Sequence, residues 1–308
     1  MVKGLVIKST GSWYTVRDAE GNTVACKIRG SYRIKGLRST NPVAVGDRVE
    51  FSVLDDGSGI ISHIEDRKNY IIRRASNLSR EYQLIASNID QAVLVISLVQ
   101  PKTLMAFVDR FLVSAEAFRI PVVLLFNKLD LYGEEELIQM NSLVEIYENI
   151  GYQCLAVSLK SGLHTDKLRA LFAGSTSVVS GNSGVGKSTL LNFLDPELNL
   201  KTSEVSSSHQ SGQHTTTYAE MFLLPSGGYV IDTPGIKGFG TVDIEKNELF
   251  HFFPEIFKIS AGCRFHNCLH LNEPGCAVID AVISGEISES RYLSYLGLMS
   301  DMGDKYRK

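Results

Sequence analysis

The sequence predicts three modules: an all-β barrel over residues 1–74, a doubly wound α/β domain over 75–240, and a small metal-stapled helical module over 241–308. Three observations carry that expectation. Short β-branched segments separated by turn clusters fill the first module. Through the middle, continuous apolar runs alternate with amphipathic stretches. Near the end, three of the five cysteines crowd into residues 263–276, a pattern that favours metal over disulfides in a reducing compartment.

Bulk composition fits this division. Hydrophobic content of 44% and charged content of 21% are ordinary for a globular chain able to build sizeable cores. No apolar run approaches the roughly 20 residues of a membrane helix. Met1-Val2-Lys3-Gly4 lacks a signal peptide's apolar core, so a cytoplasmic location is expected. The net charge of −3 is uneven: residues 1–74 hold 13 Lys/Arg against 8 Asp/Glu, and the remainder 18 against 26. A basic module on an acidic body points to a polyanionic partner for the first module.

In that module, strands are expected at 4–8, 13–17, 23–28, 48–53 and 59–64, with turns at Ala19–Asn22 and Asp55–Gly59. Five strands of this length suit an OB-type barrel. Lys27, Arg29, Arg33, Lys35 and Arg38 interleave with Tyr32 between strands, a mixture that grips nucleic acid by charge and stacking. A solvated basic loop that binds protein, or nothing, stays open beside that reading. Cys26 and Trp13 are expected in the core. Arg67–Arg74 reads as a charged linker that could also touch phosphates.

The central domain should begin with buried strands at 92–98 and 121–126, separated by an amphipathic helix over 104–118. A second helix over 134–149, a strand over 153–158 and a short helix over 164–172 follow. Next comes the apolar run 177–180 and then Gly181-Asn182-Ser183-Gly184-Val185-Gly186-Lys187-Ser188, which matches G-x-x-x-x-G-K-[ST]. In this P-loop, glycines let backbone N–H groups wrap a phosphate, Lys187 reaches the β- and γ-phosphates, and Ser188 holds magnesium. Thr189 continues into a helix whose N-terminus favours anions. Strands at 218–224 and 229–231 complete the domain.

Two further motifs narrow the nucleotide to GTP/GDP. Asn127-Lys128-Leu129-Asp130 ends a strand. A carboxylate there can accept both the ring N–H and the exocyclic amine of guanine, a pair that adenine does not offer. Asp130 fills that role, Asn127 would meet the Hoogsteen edge, and the Lys128 stem would lie over the ring. A helix-capping turn is the plainer alternative, disfavoured beside a phosphate loop. Ser158-Leu159-Lys160 is a weaker echo that could back guanine O6. Asp232-Thr233-Pro234-Gly235 supplies D-x-x-G: Asp232 would hold magnesium through water, and the Gly235 N–H would meet the γ-phosphate.

These residues resemble those of translation-factor-like GTPases, in which the phosphate loop comes first and N-K-x-D late. Here the guanine motif precedes the phosphate loop, so the domain is expected to be circularly permuted; a site assembled from strand ends tolerates that reordering. Residues 205–217 read as a first switch, with Thr216 completing the magnesium shell. Many GTPases of this class place a water-orienting glutamine after D-x-x-G. This chain has Ile236 there. His214, swung in by a partner, is the candidate replacement, against the alternative of a solvated switch residue.

In the last module, Cys263, Cys268, His270 and Cys276 give three thiolates and an imidazole at spacings that suit one structural zinc, with His266 a rival to His270. Helices are expected at 277–284 and 288–302.

Basic barrel, permuted P-loop domain and C-x₄-C-x-H-x₅-C module together resemble the ribosome small-subunit-dependent GTPase A family of bacteria. The resemblance covers essentially the whole chain. It implies a GTP hydrolase; a monomer with neither a membrane nor a DNA partner is also expected. It also implies action late in maturation of the small ribosomal subunit (30S), binding through rRNA and stimulation by the subunit. The alternative is a GTP-sensing RNA-binding scaffold in which hydrolysis only resets the switch. Leu159 departs from the small residue more usual at its place, which puts the O6 contact in question.

Overall fold

A computed structural model describes residues 1–28, 42–74, 82–200, 219–232 and 244–304. Arg29, Tyr32, Arg33, Lys35, Arg38, His214, Thr216 and Gly235 lie outside the described residues.

Strands β1 (Val2–Ser9), β2 (Tyr14–Asp18), β3 (Thr23–Ile28), β4 (Arg48–Val53) and β5 (Gly59–Ile64) pair in the order β1-β2-β3-β5-β4. Pairing of β1 with β4 closes the ring, and only β3–β5 is parallel. Inward-pointing Val6, Tyr14, Val16, Cys26, Phe51 and Ile61 form its core. Burial pushes the Cys26 thiol up to about 11, so it is an inert core group. Gly59 makes the packing possible, since a Cβ there would fall 2.4 Å from the Cys26 sulfur.

Trp13 corrects the sequence expectation. It is 42% exposed, with the Lys27 ammonium 4.4 Å from its ring centre. Strand phase decides this: Tyr14 and Val16 take the inward positions, and alternation turns residue 13 outward.

Residues 67–74 are no linker either. Strand β6 (Tyr70–Arg74) pairs antiparallel with β7 (Tyr82–Ser87), so the two strands stand on either side of the expected division at 74/75. Arg67, considered above as a phosphate ligand, reaches inward instead. Its Nε and Nη2 donate to Asp47 at 2.6 and 2.5 Å. That buried carboxylate also accepts the Ser87 hydroxyl at 2.6 Å and the Ala44 amide at 2.8 Å. A buried charge so fully hydrogen-bonded fastens the barrel to the next domain.

The central sheet runs β10 (Gln153–Ala156), β9 (Val122–Phe126), β8 (Gln91–Ile96), β11 (Thr176–Ser180), β13 (Tyr229–Asp232), β12 (Glu220–Leu223). All pairs are parallel except β12–β13. Helices α1 (Met105–Ala117), α2 (Glu134–Ile150), α3 (Asp166–Phe172) and α4 (Lys187–Leu194) cover the two faces. Strand β9 shows why its sequence is unbroken apolar: Leu124 and Phe126 enter one core, Val123 and Leu125 the other. Sheet and barrel are continuous. Lys8 of β1 pairs with Glu220 of β12, and its ammonium donates to both carboxylate oxygens at 3.1 Å.

The last module comprises a 3-10 turn (Leu249–Phe252), α5 (Pro254–Ser260), α6 (Ala277–Ser284) and α7 (Glu289–Asp304). Its core takes in Val113 of α1 beside Phe253, Ile256, Tyr295 and Met299. Arg291, only 1% exposed, locks the joint. It donates to Asp109 of α1 at 2.7 Å and to Glu255 of α5 at 2.7 and 3.2 Å, while its guanidinium lies 4.7 Å from the Phe253 ring centre.

Candidate nucleotide site and metal centre

Three loops meet at the carboxyl ends of β9, β10 and β11. Strand β8 leads to β9 on one side of the sheet, whereas β11 has β13 on the other; ligands of open α/β sheets bind at such a reversal. The loop 181–186 follows β11 and feeds α4. Gly181 has φ +141°, and a Cβ there would lie 2.5 Å from the Val95 carbonyl oxygen. Gly186 has φ +110°, and its Cβ would fall 2.3 Å from Asn127 Nδ2. Both positions therefore require glycine, the second because the guanine motif presses against the phosphate loop. Val185 is buried in the core beneath, while Ser183 and Gly184 are exposed at the tip. Lys187 Nζ spans the loop, donating to the carbonyls of Gly181 and Asn182 at 2.7 Å each. Ser188 and Thr189 sit half-buried in the first turn of α4.

Asn127 is the knot. Its Nδ2 donates to the Val185 carbonyl at 2.9 Å, and its Oδ1 accepts the Leu159 amide at 3.1 Å. One buried side chain thus joins the phosphate loop, the guanine loop and the loop after β10. Sequence had assigned it the Hoogsteen edge; here one amide hydrogen and the oxygen are committed to backbone. Asp130 is exposed, and its Oδ1 accepts the Ser158 hydroxyl at 2.5 Å. That hydroxyl also accepts the Ser161 amide at 3.2 Å. Lys128 has φ +71°, and its ammonium donates to the Gln100 carbonyl. Burial lowers its pKa, against the pull of the Asp130 charge. Leu159 turns inward beside Val185 and Leu190, which is how this position carries a larger side chain. Lys160 is exposed at the loop tip, and Asp232 ends β13.

The four thiol and imidazole atoms of Cys263, Cys268, His270 and Cys276 all lie within 4.8 Å of one another. Around a tetrahedral zinc, bond lengths of about 2.3 Å to sulfur and 2.0–2.1 Å to nitrogen imply edges of about 3.8 Å (S to S) and 3.5–3.6 Å (S to N). Cys263 and Cys276 sulfurs are 3.9 Å apart, and His270 Nδ1 is 3.5 Å from each. The donor set fits such an ion. Burial keeps His270 below its ordinary pKa, in the neutral form that a ligand needs, and pushes the Cys268 thiol up to about 12. His266 is exposed and outside the cluster. Glu273 braces the knuckle, accepting the amides of Leu269, Leu271 and Asn272 at 2.8, 2.8 and 3.1 Å. Tyr292 and Tyr295 hydroxyls donate to the His270 and Leu269 carbonyls at 2.7 Å each.

Several of these partners had gone unnoticed in the sequence: Gln100, Glu273, and the Asp109–Glu255–Arg291 cluster. Glu273 carried a readable signal, an acidic residue within a tight metal-ligand loop. The others act across long chain separations and carried none.

Comparison with known proteins agrees with this arrangement. Residues 64–242 match the family model described as RsgA GTPase, and residues 3–61 match the RsgA N-terminal domain. Small ribosomal subunit biogenesis GTPase RsgA of Bacteroides fragilis is 55% identical over 307 residues, covering 99% of both chains. That of Christiangramia forsetii is 52% identical over 309 residues, covering 99% of this chain and 98% of the relative. Among solved structures, YjeQ from Thermotoga maritima superposes with a TM-score of 0.80 at 36% identity, covering 97% of this chain and 98% of that one. YloQ, described as a circularly permuted GTPase, gives a TM-score of 0.76 at 35% identity over 99% of this chain and 96% of its own. With the guanine motif ahead of the phosphate loop and both family models matched in order, the chain belongs to the RsgA GTPase family.

Proposed function

We propose that this protein hydrolyses GTP to GDP and phosphate in the service of small ribosomal subunit biogenesis. It would act late in maturation, in the cytoplasm and as a monomer, and be stimulated by the subunit that it binds through rRNA. The observation that carries the guanine reading is Asn127, whose side chain joins all three loops of the site. In this reading, backbone N–H groups of residues 182–186 and Lys187 hold the phosphates, with Thr189 beside them in the first helical turn. Asp130, steadied by Ser158, selects guanine, Lys128 lies along the ring, and Lys160 flanks it. Magnesium, which neutralises charge developing on the phosphates, would be held by Ser188, Thr216 and, through water, Asp232. The Gly235 N–H would meet the γ-phosphate, and His214 would stand in for the missing glutamine. Zinc is the ion best suited to Cys263, Cys268, His270 and Cys276, as a closed four-ligand site without catalytic duty.

The decisive measurement is the GTPase rate with and without purified small subunits. Acceleration of about tenfold or more is expected, with roughly 10³–10⁵-fold the scale reached where a partner inserts a catalytic group; an unchanged rate would remove the coupling. Asp130→Asn tests the base contact separately. It should weaken GDP by about 100-fold and favour xanthine nucleotide, because an amide donates where the carboxylate accepted. Retained guanine preference, read by competition between GDP and xanthosine diphosphate, would refute that role.

A further inference from the structure

We propose that Tyr132 is a positioning residue for guanine selectivity, its hydroxyl fixing the 127–130 loop against the loop that leaves β8. The inference rests on the guanine reading of the site. Tyr132 OH donates to the Asn127 carbonyl at 3.1 Å and accepts the Leu98 amide at 3.0 Å. Asn127 and Leu98 are 3% and 4% exposed, so the phenol oxygen of half-buried Tyr132 joins the backbone of two buried residues. Burial raises the phenol's pKa above its ordinary value.

The geometry around Lys128 shows what that hydroxyl restrains. Lys128 sits in the left-handed region, which side chains with a Cβ disfavour and which persists only where neighbours over-determine it. Two restraints bracket it. The peptide before it is pinned by Tyr132, and its own ammonium by the Gln100 carbonyl. Both reach the same segment, residues 97–103. That segment is closed on itself: the Thr103 amide donates to the Ser97 carbonyl at 2.8 Å, and the Thr103 hydroxyl accepts the Ser97 amide at 3.2 Å. Past Lys128 the chain winds tightly, with the amides of Leu131 and Tyr132 donating to the carbonyls of Lys128 and Leu129. The ring thereby folds back onto the residue five positions earlier. Without the hydroxyl, the 127–128 peptide loses the donor on its carbonyl, and the placement of Asp130 rests on the Leu129 amide's bond to the Val157 carbonyl and on the Ser158 hydroxyl.

Selectivity should suffer more than affinity. Asp130 distinguishes guanine by accepting the exocyclic amine as well as the ring N–H, and hypoxanthine lacks that amine. A misplaced carboxylate therefore costs GDP more than inosine diphosphate (IDP). The test is equilibrium binding of GDP and IDP to the full-length protein and to Tyr132→Phe, which keeps the ring and removes one oxygen. We expect the GDP Kd to rise about tenfold, the scale of one lost buried hydrogen bond, and the GDP-over-IDP preference to fall about fivefold or more. An unchanged preference, whether or not both nucleotides weaken, makes Tyr132 merely structural and overturns the inference. Wild-type protein that does not prefer GDP to IDP takes down the guanine reading as well. Should Tyr132→Phe fail to fold, amide exchange in the wild type decides. GDP should slow exchange at Leu98, and unaltered exchange there would end the proposal.

Discussion

Replacing Cys276 with serine should release the metal and unfold the C-terminal module, leaving the barrel and the central domain standing. Structural zinc sites contribute apparent binding energies of about 10–16 kcal/mol at neutral pH, as large as the whole stability margin of a typical domain, about 5–15 kcal/mol. Here the ligand loop 263–276 contains no helix or strand, and Glu273, two tyrosine hydroxyls and a few backbone bonds such as Arg264 to Gly275 brace it, so an ion would supply much of its order. The cores of the barrel and of the sheet are separate from that of the module, which borrows only Val113 from α1. Metal analysis should find one zinc per chain in the wild type and none in Cys276→Ser. Thermal unfolding of the variant should lose one stage, with GDP binding retained. A variant that keeps the ion, or a single concerted collapse of all three modules, would contradict this division.

Arg291→Met should cost about 3–5 kcal/mol, because it leaves two carboxylates facing each other in a dry joint. Burial alone would lower the guanidinium's pKa, yet the charges of Glu255 and Asp109 outweigh it and hold it above its ordinary value. Removing the cation reverses the balance. Tyr147 still donates to Asp109 at 2.8 Å, but nothing remains to neutralise the charge. Urea unfolding of Arg291→Met, beside Arg291→Met/Glu255→Leu, checks this. The double variant should recover part of the loss. Equal stability of the two variants would mean that packing, rather than stranded charge, was responsible.

Chemistry was more legible than context. Gly181–Ser188, Asn127–Asp130 and the Cys/His cluster each compress a function into a few neighbouring residues, and the structure brings the first two together and closes the third. What the sequence concealed acts at long range. Arg291 finds its partners 36 and 182 positions away, and Tyr132 reaches back 34 positions to Leu98. Strand β6 was hidden by Arg73 and Arg74, whose charges masked the buried Ile71. Helix α5, seven residues long, is too short for periodicity to reveal. Trp13 lies outside the core because strand alternation gives the inward positions to Tyr14 and Val16.

The pairing of β8 with β11 also has a bearing on how the chain is made. Ala92 to Leu94 of β8 hydrogen-bond with Val178 to Ser180 of β11, yet β9 and β10 emerge between them. During synthesis, the half-sheet β8–β10 must wait with one flank of β8 open until β11 arrives. At about 5–20 residues per second, the stretch from Val93 to Val179 takes roughly 4–17 s to translate. For that interval an edge that is apolar from Ala92 to Ile96 is unpaired, a template for wrong partners. A nascent chain halted shortly before Thr176 should therefore be the most chaperone-dependent length of this protein.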